Sequence, residues 1–290
     1  MKATETLRAP AKLNLTLEVL QRRGDGLHAL RSVMVPVDLC DELHIEQSQT
    51  PGFTCDLPEL QEQNLVERAL QALGVGGFRV ELHKAIPTGA GMGGGSSDAA
   101  AILLAAQRGV FGPAPHADYV GVARSLGSDV PFFLVETAAL VEGTGERVTA
   151  LGPVPPWHAV VVKPPVHVST ARAYEHIEAS VRQSRPRSTS VSLELGEALQ
   201  RAQFDRVQAL LQNDFHDVLA SSTPEIGTAL DALRAAGAKH PVLTGSGSCV
   251  FELAQTAGQA EGLASALALP PEYRIFRCAF WNGEAWRSAA

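Results

Sequence analysis

From Leu13 onward the segment LNLTLEV alternates apolar and polar side chains, the period of a half-buried strand. Residues 6–19 are therefore read as a strand that ends at the turn RRGDGLH, whose RGD tripeptide is too short to carry weight. Residues 30–47 form a further strand system. NLVERALQAL at 64–73 repeats at helical spacing, and FRVELHK at 78–84 alternates cleanly into a glycine-rich segment. A helix follows to about Arg108, a second spans 117–126, and GSDVPFF interrupts the pattern at 127. AALVEG and HAVVVK read as short strands on either side of GPVPPW at 152–157, a proline cluster with linker character. Helical periodicity returns at 170–181, 203–219 and 224–236. A strand, a glycine turn in PVLTGSGSCVFEL, a helix near 256–268 and a last strand YRIFRCAFW complete the chain. Only RQSRPRSTS at 182–190 looks loose, and there is no internal repeat. Strands and helices mix without regular βαβ alternation, which predicts an α+β fold in two layers. The proline cluster divides it into domains 1–152 and 153–290.

The segment PTGAGMGGGSSDAAAILLAAQ holds five glycines between Gly89 and Gly95 and then turns abruptly into a strong helix former. Glycine lowers stability wherever it is merely structural. A backbone bare of side chains can surround phosphate oxygens, and the helix start adds unpaired N–H groups and the positive end of a dipole. Ser96 and Ser97 add hydroxyls there, one of which could also ligate a phosphate-bound Mg²⁺. Asp98 suits the first helical turn but would repel a phosphate, so it is expected to face away from the ligand. No GxxxxGK[ST] is present, the GxGxxG of Gly89, Gly91 and Gly94 lacks the acidic residue of a dinucleotide fold, and the HRD and DFG elements of protein kinases are missing. Close helix packing alone would account for two glycines, not five beside paired serines.

Composition narrows the ligand. Lys and Arg number 24 against 31 Asp and Glu, a formal charge of −7, which argues against a nucleic-acid or anionic-membrane binder. An anionic ligand must then be held by local geometry. Cys40, Cys55, Cys249 and Cys278 form no CxxC pattern and are read as reduced thiols. MKATETLRAP lacks a signal peptide's apolar run, and Ala99 to Ala106 is far short of the ~20 residues a membrane helix needs. A cytoplasmic protein without membrane association is the expectation.

Three segments in order, APAKLNLTLEV, PTGAGMGGGSSDAA and LTGSGSCVFEL, together resemble the three motifs of the GHMP small-molecule kinases and span nearly the whole chain. PAKLNL, RGDGLH, GSDVPFF and NDF at 213–215 are similar to the branch whose acceptor is a cytidine-diphosphate-linked polyol. The resemblance implies an N-terminal ATP-binding domain, a C-terminal domain and an active site in the cleft between them. It implies ATP, with Mg²⁺, as cosubstrate, the metal ligands being left open. Carried over position by position, Asp129 is the catalytic base and Lys12 its partner. Pro87, Thr88, Gly89, Ala90, Gly91, Met92, Gly93, Gly94, Gly95, Ser96 and Ser97 cradle the phosphates, with Asn64 and Leu65 near the adenine. Asn14 and His28 line the acceptor side, and Tyr174 covers the cytosine. One departure is Leu27, in DGLH, where the branch often has a tyrosine able to stack on that base. By themselves, Asp129 would be a turn or cap residue and Lys12 a solvated strand residue; the joint pattern overturns both readings. Two alternatives stay open: a GHMP kinase for a different alcohol or phosphate, and a non-catalytic nucleotide-binding or RNA-associated module. The acidic balance and the presence of Asp129 and Lys12 disfavour the second. Oligomeric state is not legible.

Overall fold

In the computed structural model, residues 4–22, 24, 26, 28–112, 118–168, 173 and 190–281 are described. The spine is a twenty-residue strand, β3 (His28–Gln47), which pairs along its length with β1 (Thr4–Asn14), β2 (Thr16–Arg22), β5 (Phe78–His83) and β6 (Ala138–Gly143). Two further strands, β4 (Gly52–Cys55) and β7 (Arg147–Gly152), extend this sheet through β5 and β6. The β1–β3 ladder runs from Thr4↔Glu46 to Pro10↔Cys40, then resumes at Ala11↔Val37. Pro10 has no N–H to give, so the ladder breaks where a proline can be accommodated. Asp38 and Leu39 are left over on β3 at this bulge. Beyond the break runs Ala11–Asn14, the segment that carries Lys12.

The bulge is also where the second sheet attaches. That sheet has the order β10 (Val242–Leu243), β11 (Val250–Ala254), β8 (His158–Lys163), β12 (Arg274–Ala279), all antiparallel. Asp38 accepts from the amide of Ala279 at 2.7 Å, and Phe280 bridges to Val37. Along β8, Ala159 and Val161 enter one core while Val160 and Val162 enter another. A strand buried on both faces reads as a continuous apolar run, which accounts for HAVVVK.

On one face of the first sheet lie α1 (Leu65–Ala72), α2 (Gly94–Gln107), α3 (Tyr119–Leu126) and the short α4 (Val130–Phe133). In α2 every residue from Ser97 to Ala106 is buried, as expected of a helix that is apolar all round. Full burial of Ile102, Leu103 and Leu104 contributes about 1.5–3 kcal/mol each. A middle core lies between the two sheets and takes in α5 (Val191–Gln200) and α6 (Phe204–Ala209); α7 (His216–Ser222), α8 (Pro224–Ala235) and α9 (Ala257–Ala266) accompany the outer core.

Most elements agree with the hydrophobic pattern, and the α+β class holds. Two segments differ: 6–19, expected as one half-buried strand, is β1 and β2 broken at Leu15, with both faces buried from Leu13 to Val19, and 203–219 was expected as one helix. It is broken by β9 (Gln212–Asn213), which runs parallel to β2. The amides of Gln212 and Asp214 donate to Leu15 and Leu17 carbonyls at 3.2 and 2.9 Å, so tertiary pairing replaces the helical bonds. β4, β7, α4 and α5 were not anticipated. The expected helix at 170–181 and the loose stretch at 182–189 lie outside the described residues, Ala173 excepted. Among the described residues no helix is long and apolar enough to cross a membrane, and the four cysteines are free thiols.

Asn213 is the joint of the broken segment. Its amide donates to the carbonyls of Leu243 and Gly245, each at 2.8 Å, and its oxygen accepts from Phe215 at 2.9 Å. Asn213→Ala is expected to destabilise the fold by about 1–3 kcal/mol, because buried carbonyls lose their donors. Urea unfolding, with an unchanged slope and a lower midpoint, checks it.

Candidate active site

The glycine segment folds as the alternation of its residue types dictates. Gly89, Gly91 and Gly93 take left-handed φ values of 59°, 74° and 74°, a region that L side chains rarely enter. Between them, Ala90 and Met92 are 2% and 1% exposed and anchor the loop in the middle core together with Ile86. Gly93 is the N-cap of α2, whose first turn is Gly94–Ser96. The resulting cleft has a volume of about 390 Å³. Its walls include all of Pro87 to Ser96, together with Asn64, Leu65, Lys84 and Asp98. Ser97 lies one step deeper, fully buried, its hydroxyl without a hydrogen-bond partner in the protein. Asn64 stands in the wall with its side chain already engaged: its oxygen caps α1 through Val66, and its amide donates to Leu60 at 2.8 Å.

A second glycine turn, Thr244–Ser248, meets the first one from the other sheet. A Cβ on Gly91 would lie 2.3 Å from the Thr244 carbonyl oxygen and 3.0 Å from that of Gly247. The Cys249 amide donates to Ala90 at 3.2 Å, and the Lys12 amide donates to Met92 at 2.9 Å. Lys12 is thereby enclosed between the two turns, 2% exposed. Its ammonium donates to Asn14 Oδ1 and stands 3.9 Å from Asp129 Oδ2. Burial pushes the Lys12 pKa below its ordinary value, and the Asp129 charge opposes that shift.

Asp129 sits at the N-cap of α4, yet its carboxylate makes no capping bond and remains 34% exposed. The reading of Asp129 as a simple cap therefore fails, and its carboxylate stays partly exposed beside Lys12. Ser96 faces the same turn, its hydroxyl 3.9 Å from where a Gly127 Cβ would stand. Asn14 is fully buried: Nδ2 donates to Ser32 at 2.8 Å, and its backbone amide donates to Thr244 Oγ1 at 3.0 Å. Its side chain thus orients Lys12 from below. His28 lies at the start of β3, where Nδ1 meets the Leu20 carbonyl at 3.3 Å. Tyr174 and Leu27 lie outside the described residues.

Sequence reasoning missed a buried charge cluster under the cradle. Lys84, its side chain 4% exposed, donates to Asp41 and, at 2.7 Å, to Asp98. The other Asp41 oxygen accepts from the amides of Ala85 and Ile86 at 2.6 and 2.8 Å, fixing the chain as it enters the glycine loop. Asp98 is five residues past the N-cap rather than in the first turn, and it lines the cleft through its contact with Lys84. Burial raises the Asp98 pKa well above the usual carboxylate range, against the pull of Lys84 and with the push of Asp41. For Lys84, burial pulls downward but the two carboxylates outweigh it, so its pKa is raised. The register Glu42↔His83 sets Asp41 beside Lys84, a proximity that no local pattern announces. Among the described residues there is no cluster of three or more His, Cys, Asp or Glu side chains able to hold a metal ion.

Two predictions follow from this geometry. Lys84→Met should destabilise the protein by about 3–5 kcal/mol, since it strands buried carboxylate charge; Asp98→Asn, which keeps the side chain's shape and leaves Lys84 paired with Asp41, should cost less. Urea denaturation of both variants compares them. Gly95 differs from its neighbours: an added Cβ would meet only Leu65 Cδ1, at 3.8 Å, and the residue is exposed in the cleft. Gly95→Val should fold with wild-type circular dichroism yet bind ATP on the order of tenfold more weakly, about 1.4 kcal/mol. Calorimetric titration reads that loss.

Comparison with known proteins agrees with this arrangement. The model described as GHMP kinases N terminal domain matches residues 64–137, and that described as GHMP kinases C terminal matches 193–270. A 4-diphosphocytidyl-2-C-methyl-D-erythritol kinase of Pseudothermotoga lettingae is 38% identical, over 88% of this chain and 94% of the relative. The enzyme of the same name from Deinococcus radiodurans is 39% identical, over 97% of this chain and 91% of its own length. A crystal structure of 4-(cytidine 5'-diphospho)-2C-methyl-D-erythritol kinase superposes with a TM-score of 0.79 at 36% identity, covering 96% of this chain and all of that one. With its glycine cradle, the Lys12–Asp129 pair and these full-length similarities, the chain belongs to the GHMP kinases, in the branch of the 4-diphosphocytidyl-2-C-methyl-D-erythritol kinases.

Proposed function

We infer that this chain is an ATP-dependent kinase that phosphorylates the 2-hydroxyl of 4-diphosphocytidyl-2-C-methyl-D-erythritol, a step in the non-mevalonate route to isoprenoid precursors. The observation that carries the chemistry is a half-open carboxylate, Asp129, 3.9 Å from a buried lysine at the glycine cradle. The acceptor is supported by relatives of 35–39% identity that bear this enzyme's name.

Phosphoryl transfer asks mainly for positioning and charge stabilisation. The amides of the loop and of the first turn of α2 surround the phosphates, where the helix dipole favours negative charge. Asp129 accepts the proton of the attacking hydroxyl. Lys12, 3.9 Å from that carboxylate, offsets charge on the transferred group, and Asn14 fixes its direction. Pro87 to Ser97 cradle the triphosphate. Asn64 and Leu65 flank the base end of the cleft, where Asn64 shapes the wall more than it contacts the base. By family likeness, His28 and Tyr174 are assigned to binding the cytidylyl group. Mg²⁺ would be carried in with ATP, and the hydroxyl of Ser96, in the cleft wall, is the group that would ligate it. When bound, the ion neutralises phosphate charge. We assign residues 1–152 to the ATP-binding part and 153–290 to the C-terminal part.

ADP release measured in parallel with the cytidylyl substrate, mevalonate, phosphomevalonate and homoserine tests the acceptor; turnover only of one of the other three would overturn it. For the chemistry, Asp129→Asn should lower kcat by ~10²–10⁴-fold with little change in either KM, because the amide keeps the shape and loses the proton acceptor. Near-normal turnover would reduce Asp129 to a turn residue.

A further inference from the structure

One side chain from the second sheet reaches the phosphate loop. His167 follows β8, and its imidazole lies directly on Gly89: a Cβ added there would be 1.9 Å from Nδ1 and 2.3 Å from Cε1. Gly89 itself forms part of the cleft wall and takes φ 59°. The absence of a side chain at Gly89 therefore lets an imidazole lie directly against the backbone of the cradle. His167 is exposed rather than packed away. We propose that His167 is a phosphate-binding residue of this kinase, donating a ring N–H to a phosphoryl oxygen held at the outer end of the glycine loop.

The segment that delivers the ring is fixed. Lys163 donates to the carbonyls of Pro164 and Val166 at 2.6 and 2.7 Å, and Ser248 Oγ donates to the same Val166 carbonyl at 2.9 Å. Val166 also returns its amide to Pro164 at 2.8 Å. Three donors, two of them on the Val166 carbonyl, anchor the residue preceding His167. The site also needs a donor of this kind. Of the two lysines at the cradle, Lys84 is taken up by Asp41 and Asp98, and Lys12 is held beside Asn14 and Asp129. A polyphosphate entering a protein of net charge −7 meets backbone amides and, on the Asp129 side, Lys12, so an N–H beside Gly89 adds a donor at the other end of the loop. An imidazole supplies at least one N–H whichever its protonation state, and a hydrogen bond to a charged oxygen is stronger than a neutral one.

Two phosphates meet at this end of the loop under the function inferred above, on which the proposal rests: the polyphosphate of ATP and the diphosphate of the acceptor. The test uses the full-length protein and three variants. His167→Leu keeps apolar contact with Gly89 but has no donor, His167→Ala removes both, and His167→Asn keeps an N–H. Dissociation constants for ATP, ADP and AMP are measured by calorimetry, and KM for ATP and for the cytidylyl substrate in the steady state. If the nucleotide is the source, Leu and Ala weaken ATP and ADP about tenfold and leave AMP unchanged. If the acceptor's diphosphate is the source, its KM rises by that factor while nucleotide affinities stay constant. In either case Asn retains most of the wild-type value. A Leu variant equal to wild type in every measurement overturns the proposal, because the ring then only packs on Gly89. So does an Asn variant as impaired as Leu. Should the wild-type protein turn over no cytidylyl substrate, the acceptor assignment fails by itself, and the ATP-against-AMP comparison still decides the role of His167.

Discussion

Gly91 has no space for a side chain, and the site depends on that. Its α-carbon stands against the Thr244–Gly247 backbone of the opposite sheet, so the two glycine turns touch main chain to main chain. Any Cβ would separate them. Their contact encloses Lys12, ties its amide to Met92, joins Cys249 to Ala90 and brings Thr244 onto the Asn14 amide. Each glycine in such a segment loses more backbone freedom on folding than any other residue would. The anchors that offset this are the buried Ala90 and Met92 and the apolar α2 behind them. A phosphate cradle and a buried lysine are thus two results of one close backbone approach.

What could be read in the sequence was local. The amphipathic α1, the alternation of β5, the apolar run of α2 from Ala99 to Ala106 and the glycine run each report themselves within a few residues, because periodicity and backbone freedom are local properties. The broken segment at 203–219 was illegible for the converse reason. Its helical spacing is real, but β2 captures the amides of Gln212 and Asp214, and the existence of that partner is a fact of topology. Lys12 and Asp129 are an intermediate case. Strand alternation alone would put Lys12 in water, and turn chemistry alone would make Asp129 a cap. Their joint occurrence with both glycine turns pointed to them, and the structure leaves the Asp129 carboxylate uncapped, 3.9 Å from Lys12. Asp41, Lys84 and His167 had no such companion signal. Asp41 and Lys84 meet across 43 residues through the β3–β5 register, and His167 meets Gly89 across the two sheets.

The two lysines of the site show how one residue type is divided between foundation and chemistry. Lys84 touches two carboxylates in a dry pocket, and their combined charge outweighs the desolvation of its ammonium. Such a group is firmly charged, and its hydrogen bonds fix the entrance to the glycine loop. Lys12 is as deeply buried but has one carboxylate, at 3.9 Å and partly in water, so desolvation prevails and its pKa falls. At that distance the pair is an electrostatic contact without a hydrogen bond. Both partners therefore keep capacity: the ammonium retains donors beyond the one given to Asn14, and the carboxylate retains open lone pairs. A fully satisfied Lys12–Asp129 bridge would have to be broken before a hydroxyl or a phosphoryl oxygen could enter. A loosely held pair lets both groups engage the reactants with little rearrangement, the preorganisation that phosphoryl transfer rewards. The rigid cluster beneath makes that looseness compatible with a defined geometry, because the loop that bounds Lys12 is fixed by Asp41 and Lys84 rather than by the reacting pair itself.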